Sequence, residues 1–188
     1  MTVAFDNTFL TLLLDPTSEV RPNPVTGAAT LYMPGRINSL IDDLTVRGDK
    51  LIIPAPAIAE VMCKVAPPSK VMAKLGAYKC IEPYAFDQKC ALTLGELAQK
   101  FRAEIKEARL LNKWARQQVK VDIQIVAVAL TYGADTLYTD DESQTTFAEM
   151  CGLNVMHTWD LPLSDAYRQG ELEFYGGAGD ATEDADAS

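Results

Sequence analysis

The sequence predicts an α/β domain: a short central parallel β-sheet flanked by helices, in three layers α/β/α. Three observations carry that reading. Short apolar runs at 3–5, 51–53, 136–139 and 154–158 alternate with longer stretches of helical period, the pattern of strands joined by helical crossovers. The runs are apolar on both faces, as strands covered from both sides are. Helix stops and starts (Gly48, Pro54, Asp87, Gly133) fall between them.

Val3-Ala4-Phe5 reads as the first strand, with Asp6 at its C-terminal end and an apolar helical turn behind it. Residues 15–35 are rich in Pro, Thr, Asn and Gly and read as a long ordered loop, a feature more often functional than idle in a compact domain. Ile37, Leu40, Ile41 and Leu44 form a helical stripe between Arg36 and Arg47, ended by Gly48. Leu51-Ile52-Ile53 is the second strand. A helix from Ala57 to Ala66 follows, with Glu60 in its first turns and Pro67-Pro68 at its end. Ser69 to Ala77 reads as helical again. Asp87 is placed to cap an amphipathic run from Gln88 to Lys120, one helix or two.

Asp122 opens the next predicted helix, Ile123 to Tyr132, so apolar that it belongs in the centre, with Gly133 as its C-cap. Thr136 to Thr139 is the third strand, followed directly by Asp140-Asp141-Glu142. Phe147 to Cys151 reads as a short helix and Asn154 to Thr158 as the fourth strand. From about Ala166 the composition turns polar, then rich in Gly, Ala and Asp. The expected organisation is one domain at 1–165 and a flexible, acidic tail at 166–188.

Bulk properties narrow the function. Of the 188 residues, 48% are hydrophobic, enough for a core, but no stretch approaches the ~20 apolar residues that span a bilayer. The N-terminus lacks the basic region of a signal peptide, so a cytoplasmic protein without membrane contact is expected. The four cysteines form no CxxC pair and His157 is the single histidine, which argues against a Cys/His zinc site and leaves a Cys–His nucleophilic pair without a motif. The net charge of −9 argues against nucleic-acid binding by bulk phosphate neutralisation.

Four acidic positions stand out. Asp6 and the Asp140-Asp141 pair follow strands, Glu60 lies just after one, and Asp122 starts the helix that feeds another. In an open sheet of this kind all four fall near one edge, where sites form. Asp6 within VAFDNTFL and Glu60 within AIAEVM are acids in apolar surroundings, costly if buried and unpaired. A divalent cation is a natural counter-ion, and oxygen-only ligands suit Mg²⁺ or Mn²⁺. Taken singly, the positions keep ordinary readings: Asp122 as an N-cap, Asp140 and Asp141 as turn residues, Glu60 as a helix-surface acid.

Taken together, residues 2–160 resemble the PIN-domain nuclease family. VAFDNTFLTLLLD resembles its first strand, with Asp6 followed by Asn7-Thr8. LIIPAPAIAEVM resembles the strand–helix unit that presents Glu60. KVDIQIVAVALTYGADTLYTDD resembles its most specific stretch, with Asp122 before an apolar helix and a strand ending in Thr139 before acids. The Thr-x-Asp spacing selects Asp141, with Asp140 beside it. Two departures are plain: segment 15–35 is longer than the family's usual link, and the chain is unusually acidic.

The resemblance implies metal-dependent hydrolysis of RNA phosphodiester bonds. Asp6, Glu60, Asp122 and Asp141 or Asp140 would hold Mg²⁺ or Mn²⁺, and Thr139 would orient a carboxylate or water. Carboxylates so gathered are expected to have raised pKa values without the cation. The implied partners are an RNA substrate, an antitoxin protein if the chain is the toxin of a toxin–antitoxin pair, and a second copy in a homodimer. Lys106, Arg109, Lys113, Arg116 and Lys120 form either a solvated face or a phosphate-contacting ridge; Trp114 and Tyr138 are either core or base-stacking residues. The competing class is a catalytically silent PIN-like binding module. A haloacid-dehalogenase-type phosphatase also places Asp after its first strand, but needs a second Asp at position 8, which is Thr.

Overall fold

In the computed structural model, which describes residues 1–64, 67–110, 118–165 and 167, five parallel strands form one sheet. They are β1 (Thr2–Phe5), β2 (Lys50–Pro54), β3 (Ile81–Tyr84), β4 (Thr136–Tyr138) and β5 (Asn154–Met156), in the spatial order β3-β2-β1-β4-β5. The earliest strand is therefore central, and the order reverses on either side of it. The described helices are α1 (Asn7–Leu14), α2 (Met33–Arg47), α3 (Ala55–Met62), α4 (Pro68–Gly76), α5 (Gln88–Lys100), α6 (Arg102–Leu110), α7 (Gln118–Thr131) and α8 (Glu142–Met150), with a 3₁₀ turn at Thr158–Asp160. None of them is long and apolar enough to cross a membrane.

The predicted class and most elements stand. Gly48 and Gly133 take left-handed conformations at the ends of α2 and α7, with φ 67° and 77°, and Asp87 caps α5 by accepting from the Cys90 amide at 3.0 Å. Four expectations need correction. A fifth strand, β3, forms at 81–84. The α2 helix begins at Met33 rather than Arg36, with Pro34 in its first turn. The helix carrying Asp122 begins at Gln118, so Asp122 lies one turn inside it and is no N-cap. The α8 helix begins at Glu142, capped by Asp141, not at Phe147. Arg109, Lys113, Trp114, Arg116 and Lys120 have side chains outside the described residues, as does the tail beyond 167, while Lys106 is exposed. Tyr138 is core, 6% exposed.

Phe5, Phe9 and Tyr138 meet edge-on or tilted, ring centroids 5.3–5.4 Å apart, and lock α1 against β1 and β4. Burying each such ring contributes roughly 1.5–3 kcal/mol. Ile125, Val126, Ala127, Val128 and Ala129 of α7 are fully buried, as its apolar sequence requires. The segment after the 3₁₀ turn clasps α2: Ser39 donates to Ser164 Oγ (3.0 Å), Tyr167 donates to Asp42 (2.5 Å), and Arg36 donates to the Leu161 carbonyl. The approach is so close that a Cβ at Gly35 would stand 3.0 Å from Leu163 Cδ1 and 3.1 Å from Tyr167 Cβ.

At the end of the sheet where strands start, acids are matched with cations. Asp49 accepts from the N-terminal amine at 2.6 Å and from Arg47 at 2.8 Å, and Lys50 stands 3.0 Å from Glu82. The N-terminal amine, then Arg47, hold the Asp49 carboxyl below its ordinary range; the Tyr84 hydroxyl, donating at 2.7 Å, then Lys50, do so for Glu82.

Candidate active site

Strand register assembles the opposite end of the sheet. Phe5 of β1 pairs with Tyr138 of β4, and Tyr138 with Met156 of β5. The residues that follow, Asp6, Thr139 and His157, therefore emerge side by side. Backbone bonds extend the ladder by one step, from the Asp6 amide to the Tyr138 carbonyl (3.1 Å) and from the Thr139 amide to the Met156 carbonyl (3.1 Å).

Asp6 is fully buried. One oxygen accepts from the Phe9 amide (2.8 Å) as the N-cap of α1, and the other accepts from the Thr139 hydroxyl (2.6 Å). Those bonds favour the charged form, but burial outweighs them and pushes the carboxyl up to about 7. Asp122 is 9% exposed. Its carboxyl is likewise pushed up to about 7, first by burial and then by the charges of Asp141, Glu60 and Asp6. Its Oδ2 is buried without a hydrogen-bond partner among the described residues, an exception that calls for an explanation. The interactions that raise Asp122 thus link four acids drawn from β1, α3, α7 and the β4–α8 junction.

Glu60, half-buried on α3, accepts from the Asn7 side-chain amide. Asp141 caps α8 through the Gln144 amide (2.9 Å) and accepts from the Ser143 hydroxyl (2.5 Å); its own amide donates to Thr139 Oγ1 (3.1 Å). Asp140 turns elsewhere. Its two oxygens accept from the Thr158 amide (2.8 Å) and hydroxyl (2.7 Å), binding the end of β4 to the 3₁₀ turn. Its negative charge still contributes to raising Asp6.

The structure brings Asp6, Thr139, Asp122, Glu60 and Asp141 together and gives Asp140 an anchoring contact. Sequence reasoning missed Thr158, which satisfies Asp140, and found no partner for His157, whose Nδ1 lies 2.6 Å from the Thr139 carbonyl and whose ring stacks on Trp159. Both were read as the last residues of a strand 154–158, whereas β5 ends at Met156 and leaves them at its C-terminal end.

Oxygen-only donors, an orphaned buried carboxylate oxygen and two acids pushed towards neutrality fit a divalent cation. Among the described residues, no three His, Cys, Asp or Glu side chains yet stand as a ready ligand set. Both Asp6 oxygens, one Glu60 oxygen and Asp141 Oδ1 accept from protein donors.

No protein-family model and no curated protein matches the chain. Solved structures do match its fold. The VapBC2 structure of Rickettsia felis, bound to a DNA fragment from its promoter, matches with TM-score 0.54 and 16% identity over 84% of this chain and 98% of that one. DNA-bound VapBC of Salmonella typhimurium (TM-score 0.51, 15% identity) and VapBC-1 of nontypeable Haemophilus influenzae (0.50, 13%) match with the same coverage. The chain has the PIN-like α/β fold of these structures.

Proposed function

We propose that the chain is a Mg²⁺- or Mn²⁺-dependent endoribonuclease, the toxin component of a toxin–antitoxin pair. The observation that carries the reading is Asp122: a buried carboxylate with an unpartnered oxygen, raised to about 7 by burial and by three other acids of the same edge. An unneutralised cluster of this kind is costly to maintain. It is understandable as a site built for an external cation. The fold it shares with the VapBC structures supports the toxin assignment and an antitoxin partner.

Asp6, Glu60, Asp122 and Asp141 would hold the cation. When bound it would supply charge neutralisation and an activated water for in-line attack at phosphorus. The chain's own groups set the stage. Thr139 fixes one Asp6 oxygen through its hydroxyl, and the Phe9 amide fixes the other. Asn7 orients Glu60, and the start of α8 orients Asp141. Asp140 holds the 3₁₀ turn that packs beside them.

One observation favours a second reading, a silent PIN-like module that binds RNA or protein: the acids do not stand as a ready ligand set. Cleavage of mixed single-stranded and structured RNAs by wild type and Asp6→Asn, in Mn²⁺, Mg²⁺ or EDTA, separates the two. The nuclease reading expects cation-dependent cutting that falls by about 100-fold or more in the variant, the scale on which one electrostatic contact at a reacting centre acts. Absence of cutting together with absence of metal binding by calorimetry establishes the silent module instead.

A further inference from the structure

The long loop between α1 and α2 builds a cavity of about 360 Å³ against the segment that follows β5. Its lining includes Asn23, Thr30, Tyr32, Arg36, Trp159 and Leu163. The size lies in the range of small-molecule sites. Its place in the fold ties it to the acid-bearing edge: Trp159 stacks on His157 at 4.5 Å and 20°, His157 Nδ1 meets the Thr139 carbonyl, and Thr139 bonds Asp6.

Three features of this cavity bear on a ligand. Tyr32 takes a left-handed backbone, φ 59° and ψ 38°, and is the single non-glycine residue with positive φ among the described residues. Such strain gathers at functional positions. Yet the ring it places is 40% exposed, so the core gains little from it. The Arg36 guanidinium donates to the Leu31 and Leu161 carbonyls but pairs with no carboxylate among the described residues, leaving an uncompensated cation on a chain of net charge −9. Thr30 carries a buried hydroxyl with no hydrogen-bond partner among the described residues.

We infer that this cavity is a nucleobase pocket that receives one unpaired base of a single-stranded RNA. Tyr32 and Trp159 offer flat π-surfaces on which any base stacks. Arg36 offers N–H donors and charge for the attached phosphate. The Thr30 hydroxyl offers the directional contact by which one base edge is told from another. An apolar peptide would use the aromatic surfaces but would leave the cation and the hydroxyl without a function. The substrate class rests on the ribonuclease reading above; the pocket rests on its own residues.

The test uses the full chain in EDTA, so that binding is read without cutting. Fluorescein-labelled single-stranded RNA decamers, and the same decamers with one abasic position moved along them, are titrated by anisotropy against wild type, Tyr32→Ala, Trp159→Ala, Thr30→Val and Asp49→Asn. The expected result is a single position at which abasic substitution weakens wild-type binding by about 5- to 100-fold, the range of one stacked base. Tyr32→Ala and Trp159→Ala lose the same factor and become indifferent to that abasic site. Thr30→Val keeps affinity but narrows discrimination among the four bases, and Asp49→Asn, at the opposite end of the sheet, binds as wild type. Trp159 also packs on His157, so Tyr32→Ala, altering a part-exposed ring, keeps the test valid if Trp159→Ala unfolds. Oligonucleotide affinity within twofold of wild type in Tyr32→Ala overturns the proposal and marks the cavity as a protein contact. Base-dependent binding in a chain that cuts no RNA in any metal preserves the pocket and removes the nuclease; cutting with no base dependence does the reverse.

Discussion

The two ends of the sheet treat their carboxylates in opposite ways. Where the strands begin, Asp49 sits between the N-terminal amine and Arg47, and Glu82 meets Lys50. Asp49 is held below its ordinary range first by the N-terminal amine, and Glu82 first by the Tyr84 hydroxyl and then by Lys50. Where the strands end, Asp6 and Asp122 are buried without a cation and pushed up to about 7. The same residue type is stabilised at one end and frustrated at the other. A chain that pairs its acids with cations at one end of the sheet leaves Asp6 and Asp122 without one at the other; the contrast is a stronger pointer to a functional site than either end alone.

Substitution breaks the contrast most sharply at Asp6. Asp6→Asn is expected to abolish cation-dependent RNA cutting while raising the melting temperature of the cation-free protein above pH 7, because the amide replaces a buried charge. Activity and thermal melting of one preparation check both signs. A variant that melts lower and still cuts removes the site.

The pH dependence follows from the same residue. The folded-state pKa of Asp6, about 7, lies above its ordinary 3.8. Between about 4 and 7 the folded chain therefore holds a proton that the unfolded chain has released, and stability falls as pH rises through that window. The loss is on the order of a few kcal/mol, complete above about pH 7. Denaturant unfolding in EDTA from pH 4 to 8 should show that slope, and millimolar Mn²⁺ should flatten it above pH 7. A flat profile in EDTA contradicts the burial of a lone charge.

The adjacent acids offer a finer comparison. Asp140→Ala leaves the buried Thr158 amide and hydroxyl without acceptors and is expected to destabilise by about 1–3 kcal/mol. Asp141→Ala is expected to reduce cutting nearly as far as Asp6→Asn. Reversal of the two effects, read from urea midpoints and cleavage rates, exchanges the roles assigned to them. The smallest effect is expected at Asp49→Asn: a minor drop in melting temperature that disappears at high salt and leaves cutting unchanged.

Much of this arrangement could be read from the residues themselves. The double-faced apolar runs predicted the parallel sheet, and the acids after strands predicted which edge would gather them. The edge strand β3 escaped because Ile81-Glu82-Pro83-Tyr84 alternates poorly and contains a proline, which an edge position tolerates. The start of α7 escaped because Gln118-Val119-Lys120 continues the polar amphipathic run before it. The Thr-x-Asp spacing selected Asp141, but the residues themselves left Asp140 as an alternative, since the anchor of Asp140 is Thr158, 18 residues further on. The cavity under Tyr32 was signalled only as an overlong loop, because its walls come from two segments distant in sequence.

Gly35 draws these segments together. A single hydrogen there lets α2 lie against Leu163 and Tyr167, where one added methyl group would meet two carbons at 3.0–3.1 Å. Gly76 and Gly95, by contrast, have nothing within 4 Å of such a methyl. In a library of random variants selected only for surviving in soluble, folded form, position 35 should therefore keep glycine more often than 76 and 95 do. The record of permitted spellings would trace the clasp between α2 and the C-terminal segment without any coordinates at all.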